Sequence, residues 1–99
     1  MLLTVSEADD GTVKIQTSEK FTFECHREMR AAYEGRVATT IYILDFSRTD
    51  YIDSSALGML LLLREAAGGD DNKIKLINCK ASVKNVFGVA NFNLMFDIT

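Results

Sequence analysis

The residues able to do chemistry in this chain are few, and most crowd one stretch. Tyr51-Ile52-Asp53-Ser54-Ser55-Ala56-Leu57-Gly58-Met59-Leu60-Leu61 sets a carboxylate and two hydroxyls directly before an apolar run. Asp and Ser side chains accept from the free backbone N–H groups of a helix's first turn, so the plainest reading is an N-cap. A hydroxyl there has a second use. Phosphorylation would add about −1.5 to −2 charge. The helix dipole and the free N–H groups tolerate that charge, so the fold survives while the surface around it becomes anionic. Turned at about 100° per residue, the segment gathers Ala56, Met59, Leu60, Leu63 and Ala67 on one arc as a core stripe. Ser54, Leu57, Gly58 and Leu61 gather on another arc, flanked by Arg64 and Glu65 and therefore facing water. The wheel puts Ser54, rather than Ser55, outward. Two leucines and a glycine beside a serine make a small apolar docking patch. Gly58 lets another surface approach closely, at a helix-propensity cost of about 1 kcal/mol. A partner burying Leu57 and Leu61 would have to desolvate a phosphate on Ser54, and binding would fail.

Other candidates are weaker. Asp45, Asp50 and Asp53 bracket one loop and could hold Mg²⁺ and accept phosphate in the manner of a receiver domain. Such a site also wants acidic residues ending the first strand, whereas Asp9-Asp10 belongs to a hairpin turn. Loop solubility and helix capping explain the three carboxylates more simply. His26 follows Cys25, but adjacent helical positions diverge by about 100°, so the two are no nucleophile–base pair. The chain has no G-x-S-x-G, no P-loop and no metal-ligand spacing, and Cys25 with Cys79 makes no zinc pattern. No catalytic residue, metal site or cofactor is expected, and the protein reads as non-enzymatic.

The elements that must position these residues follow from periodicity and punctuation. Val5 to Asp9 and Thr12 to Thr17 read as strands joined at Asp10-Gly11, a hairpin signal. Thr22 is placed to cap a helix from Phe23 to Glu34, with Cys25, Met29 and Ala32 at helical spacing and Gly35 as its stop. Thr39 to Phe46 is the most continuous β-rich run and reads as a central strand covered on both faces. Ser47 to Asp53 is a polar loop, and Ser54 to Ala67 a helix ended by Gly68-Gly69. Asp70-Asp71-Asn72 is a solvated turn. Lys73 to Asn78 is a strand with Ile74, Leu76 and Ile77 as its core. Ser82 caps a third helix whose Val83, Val86, Phe87 and Ala90 share a face. Phe92 to Ile98 is an edge strand or a packed tail. The order β-β-α-β-α-β-α predicts an α/β fold: a mostly parallel sheet of four or five strands, an N-terminal hairpin and three helices.

Composition bounds the rest. Ninety-nine residues allow one domain, residues 1–99, with no linker or repeat. A net charge of −3 argues against nucleic acid as a partner. The run Ala56 to Leu63 is far short of the roughly 20 residues of a membrane span. Met1-Leu2-Leu3-Thr4 has no signal-peptide pattern. Cys25 and Cys79 read as free thiols in a reducing compartment, so a cytoplasmic location is expected.

Asp53-Ser54-Ser55-Ala56-Leu57-Gly58, behind Tyr51-Ile52 and the strand Ile41-Tyr42-Ile43-Leu44-Asp45, resembles the signature of the STAS family of anti-sigma-factor antagonist domains. Val86-Phe87-Gly88 to Phe92 is similar to that family's last helix and exit. The resemblance implies a bacterial partner switch. Unmodified, the domain binds a GHKL-type serine kinase, often an anti-sigma factor. The kinase phosphorylates the first serine, here Ser54, and a PP2C-type phosphatase restores it. Asp53 would orient the loop or the hydroxyl, and Ser55 would be mainly structural. Ala56 stands where the family carries glycine. Glu19-Lys20-Phe21-Thr22 departs from the family's Gly-x-Phe/Leu-Asp. Relatives that serve other targets, through response-regulator-linked kinases or phosphatases controlling biofilm or secretion, leave that alternative open. So does a receiver-like acceptor built on Asp45, Asp50 and Asp53.

Overall fold

The computed structural model describes residues 2–69 and 73–99; the turn expected at Asp70-Asp71-Asn72 lies outside the described residues. Strands β1 (Leu3–Glu7) and β2 (Val13–Thr17) form an antiparallel hairpin with Val5 opposite Ile15. Gly11 turns it at φ +89°, a conformation other residues resist. Strands β4 (Tyr42–Asp45), β6 (Ile74–Ile77) and β7 (Asp97–Ile98) then add in parallel, giving the sheet order β1-β2-β4-β6-β7. The α/β class, the hairpin, the three helices and the mostly parallel five-stranded sheet are as expected. The tail Phe92 to Ile98 resolves into both alternatives, a 3-10 turn at Phe92–Leu94 followed by edge strand β7.

Every parallel crossover steps in the same direction, β2 to β4 to β6 to β7. Right-handed connections therefore set helices α1 (His26–Tyr33), α2 (Ser54–Ala66) and α3 (Ala81–Val89) on one side of the sheet. Burial agrees. Val13, Ile15, Tyr42, Leu44, Ile74 and Leu76 alternate inward and meet Met29, Leu60, Leu63, Val83 and Phe87 from the helices. The opposite face carries Lys14, Ile43 and Lys75 in register across β2, β4 and β6, with both lysines exposed. The central strand is thus covered on one face, not two. Its run of β-formers looked continuous because Ile43 is only half-buried yet as apolar as its neighbours.

Several local expectations change. The polar loop Ser47 to Asp53 contains a short strand, β5 (Tyr51–Ile52), which pairs in parallel with β3 (Lys20–Phe21). Helix Phe23 to Glu34 begins as a 3-10 turn at Phe23–Cys25, and Thr22 makes no side-chain cap bond. Ser82 lies inside α3, whose N-cap position is Lys80. Ile77, Val86 and Ala90 are half-buried rather than core. The stripe of α2 falls as the wheel placed it: Ala56, Met59, Leu60, Leu63 and Ala67 are all buried.

Candidate functional site

Ser54 sits where β5 hands the chain to α2. Asp53 precedes it in an extended conformation, φ −107° and ψ 176°, which is the N-cap geometry. Its Oδ1 accepts from the Ala56 backbone N–H at 2.8 Å, and its Oδ2 accepts from that of Phe23 at 3.3 Å. One carboxylate therefore ties the start of α2 to the 3-10 turn that opens α1. The cap expected of Thr22 is supplied instead by a residue 30 positions away in sequence. Phe23 is held further by His26, whose Nδ1–H donates to the Phe23 carbonyl at 2.8 Å and whose ring stacks on it at 4.4 Å.

Both serines face solvent. The wheel singled out Ser54, but Ser55 is exposed too. Leu57 is half-buried, and Gly58 and Leu61 are exposed. A Cβ built on Gly58 meets nothing within 4 Å, so this chain's own packing does not require the glycine. Leu62 is more exposed than Leu61, 56% against 42%, and widens the apolar surface beyond the predicted arc.

Leu57 also forms one wall of an apolar groove of about 310 Å³ whose other wall is Asn85, Val86, Val89 and Ala90 of α3. Val89 is 87% exposed at its lip. Val86 and Ala90 fit a core stripe in the sequence, which hid this wall. The i, i+3 pair Val86 and Val89 was the signal for a second face. An open cleft of about 910 Å³ runs along the other side of Asp53, mixing Lys20, Arg48 and Lys80 with Glu19, Glu24 and Asp50.

The three loop carboxylates are not gathered. Asp45 is buried, and its Oδ1 accepts from the Ser47 N–H at 2.9 Å and from Asn78 Nδ2 at 3.2 Å. Burial alone would raise its pKa, but the Ser47 and Asn78 hydrogen bonds, with Lys14 nearby, hold it below 3.8. Asp50 pairs with Lys80 at 2.6 Å, and Asp53 caps α2. Among the described residues no three His, Cys, Asp or Glu side chains come together as a metal site. Cys25 and Cys79 are both free thiols. Burial pushes both pKa values up, that of Cys79 to about 11. No helix among the described residues is long and apolar enough to cross a membrane.

A family model described as "Mlab, STAS domain" matches residues 4–97. A STAS-domain containing protein of Pseudomonas aeruginosa (strain UCBPP-PA14) is 45% identical over 94 residues, covering 93% of this chain and 92% of the relative. Among solved structures, the unphosphorylated anti-sigma factor antagonist SpoIIAA superposes with a TM-score of 0.79 at 20% identity, over 98% of this chain and 87% of that one. The phosphorylated form of SpoIIAA from Bacillus gives 0.72 at 19% identity, over 98% and 90%. An anti-sigma factor antagonist from Mycobacterium paratuberculosis gives 0.79 at 13% identity, over 97% and 82%. Likeness at such identities establishes the shared fold.

Proposed function

The chain belongs to the STAS domain family, and from that premise we propose that it is a partner-switching regulator that acts by binding rather than by catalysis. Unmodified, it binds a GHKL-type serine kinase, an anti-sigma factor or a related switch protein. The docking surface is Ser54, Leu57, Gly58 and Leu61 on α2, enlarged by Val86 and Val89 across the groove. The kinase transfers phosphate to the Ser54 hydroxyl, and the partner leaves. A PP2C-type phosphatase restores the binding form.

One observation carries this reading: an exposed hydroxyl at the first turn of α2 stands one turn above a groove with apolar walls. An apolar partner side chain seated in the groove brings partner surface over Ser54. A phosphate there must then be desolvated without a counter-charge, which costs several kcal/mol per ion. The phosphate itself leaves α2 intact, because it lies at the positive end of the helix dipole.

Asp53 supports the site by fixing the first turn, and Ser55 by continuing it. The rival reading, an aspartyl phosphate on Asp45, Asp50 or Asp53, has no comparable support, since each carboxylate is engaged separately.

The test is titration of the wild type, Ser54→Ala and enzymatically phosphorylated protein against the GHKL-type serine kinases of the same cell. The wild type and Ser54→Ala should bind one of them alike, and the phosphoprotein at least tenfold more weakly. Equal binding by the phosphoprotein sinks the switch. A hydroxylamine-labile phosphate formed from acetyl phosphate and Mg²⁺ would replace it with the aspartyl reading.

A further inference from the structure

The loop that delivers Ser54 contains one residue that does not behave as a loop residue. Ser47, Arg48 and Asp50 are exposed, as connecting segments normally are. Thr49, between them, is 0% exposed. Its Oγ1 donates to the Ser18 carbonyl at 2.6 Å and bonds the Thr17 hydroxyl, which also reaches the Asp45 carbonyl at 3.2 Å. Thr17 is itself 1% exposed. Two hydroxyls sealed from water therefore link the ends of β2 and β4 to the middle of the connecting loop. Among the described residues no buried side-chain polar atom lacks a partner, so neither hydroxyl is left unpaired. A satisfied buried network of this kind specifies one conformation rather than adding much net stability.

The segment after Thr49 leads directly into the site. The next two backbone N–H groups, of Asp50 and Tyr51, both donate to the Glu19 carbonyl, at 2.8 and 3.2 Å. Strand β5, Asp53 and Ser54 come directly after. Ser18 and Glu19, the acceptors on the other side, are likewise adjacent. The hydroxyl pair thus adjoins the two acceptors, Ser18 and Glu19, against which the chain enters β5 and, directly after it, α2.

We propose that Thr49 is a positioning residue for the candidate switch: its buried hydroxyl, closed against Thr17 and Ser18, fixes where the first turn of α2 presents Ser54. The functional meaning rests on Ser54 being the switch hydroxyl. The positioning itself does not, and it is tested without any partner. Thr49→Val keeps the shape and removes the hydroxyl, taking the side-chain donor from the Ser18 carbonyl and leaving the Thr17 hydroxyl with only the Asp45 carbonyl at 3.2 Å. Thr49→Ser restores the hydroxyl with a smaller side chain.

Amide hydrogen exchange is followed by NMR in the wild type and both variants, with Ile15 and Leu44 amides as internal reporters of global opening. In Thr49→Val, exchange at Asp50, Tyr51 and Ala56 should quicken by about tenfold more than at the two core amides. Thr49→Ser should return most of that protection. The proposal is overturned if Asp50, Tyr51 and Ala56 change only in step with the core, or if Thr49→Ser loosens them as much as Thr49→Val. If Thr49→Val does not fold, Thr17→Val is read against the same amides by the same criterion. Failure of Ser54 phosphorylation in the wild type would end the switch reading and leave this result standing.

Discussion

Removing the Asp53 carboxylate should uncouple two helical starts at once. In Asp53→Ala the Ala56 N–H loses its 2.8 Å acceptor and the Phe23 N–H loses its 3.3 Å acceptor. Loss of an N-cap costs about 1 kcal/mol. The longer bond to Phe23 adds roughly 0.5 kcal/mol. Ala56 N–H also lies 3.1 Å from the Asp53 carbonyl and is not orphaned, which keeps the sum near the lower end. The expected loss is thus roughly 1–2 kcal/mol, or about 4–16 °C in Tm for a chain of this size. Asp53→Asn keeps one carbonyl oxygen for Ala56 but turns an amide toward Phe23, so it should cost about half as much. Urea unfolding followed by far-UV circular dichroism measures both. If Asp53→Ala costs less than about 0.5 kcal/mol, or Asp53→Asn is as damaging as Asp53→Ala, the double-cap argument is wrong.

Two further outcomes are expected from the geometry. Asp45 has a folded pKa below its ordinary 3.8. The unfolded chain therefore binds more protons near that value, and the stability from Asp45 is complete above about pH 5 and lost as pH falls through the folded pKa. Thermal unfolding of wild type and Asp45→Asn from pH 2 to 7 should show curves that converge only at the acid end; a constant separation would refute the assignment. Val89→Glu places a charge at an exposed groove lip, so its stability should stay within about 0.5 kcal/mol of wild type. Its affinity for the partner should fall at least tenfold, and calorimetric titration showing wild-type affinity would remove α3 from the docking surface.

The α2 face was legible in the sequence because a 13-residue helix gives the wheel enough turns to separate Leu60 and Leu63 from Leu61. The hairpin and the alternation of strands and helices were legible from Asp10-Gly11 and from apolar periodicity. What stayed hidden was set by distant contacts. Nothing near Thr22 indicates that Asp53 will cap that turn, and a two-residue strand such as Tyr51–Ile52 is too short to carry a period. Thr49 looked like any polar loop residue, because its burial depends on Thr17 and Ser18, about 30 positions earlier. The same holds for α3, where Val86 and Ala90 match a core pattern and only the position of Leu57 turns them into a groove wall.

The uncovered side of the sheet has its own consequence. A flat face with a central isoleucine invites a second copy to stack back to back. Any twofold arrangement centred on Ile43 with its axis along the strands sets Lys14 against Lys75 of the other copy. With the axis across the strands, each lysine meets its own counterpart. Both arrangements press ammonium groups together as water leaves, and Asp97, beside Lys75 in the same row, is the one carboxylate there to offset them, so this side disfavours stacking on its own kind. The chain can leave this side of its sheet without a covering layer and still discourage a second copy from stacking there, and its helical side stays free for a different molecule.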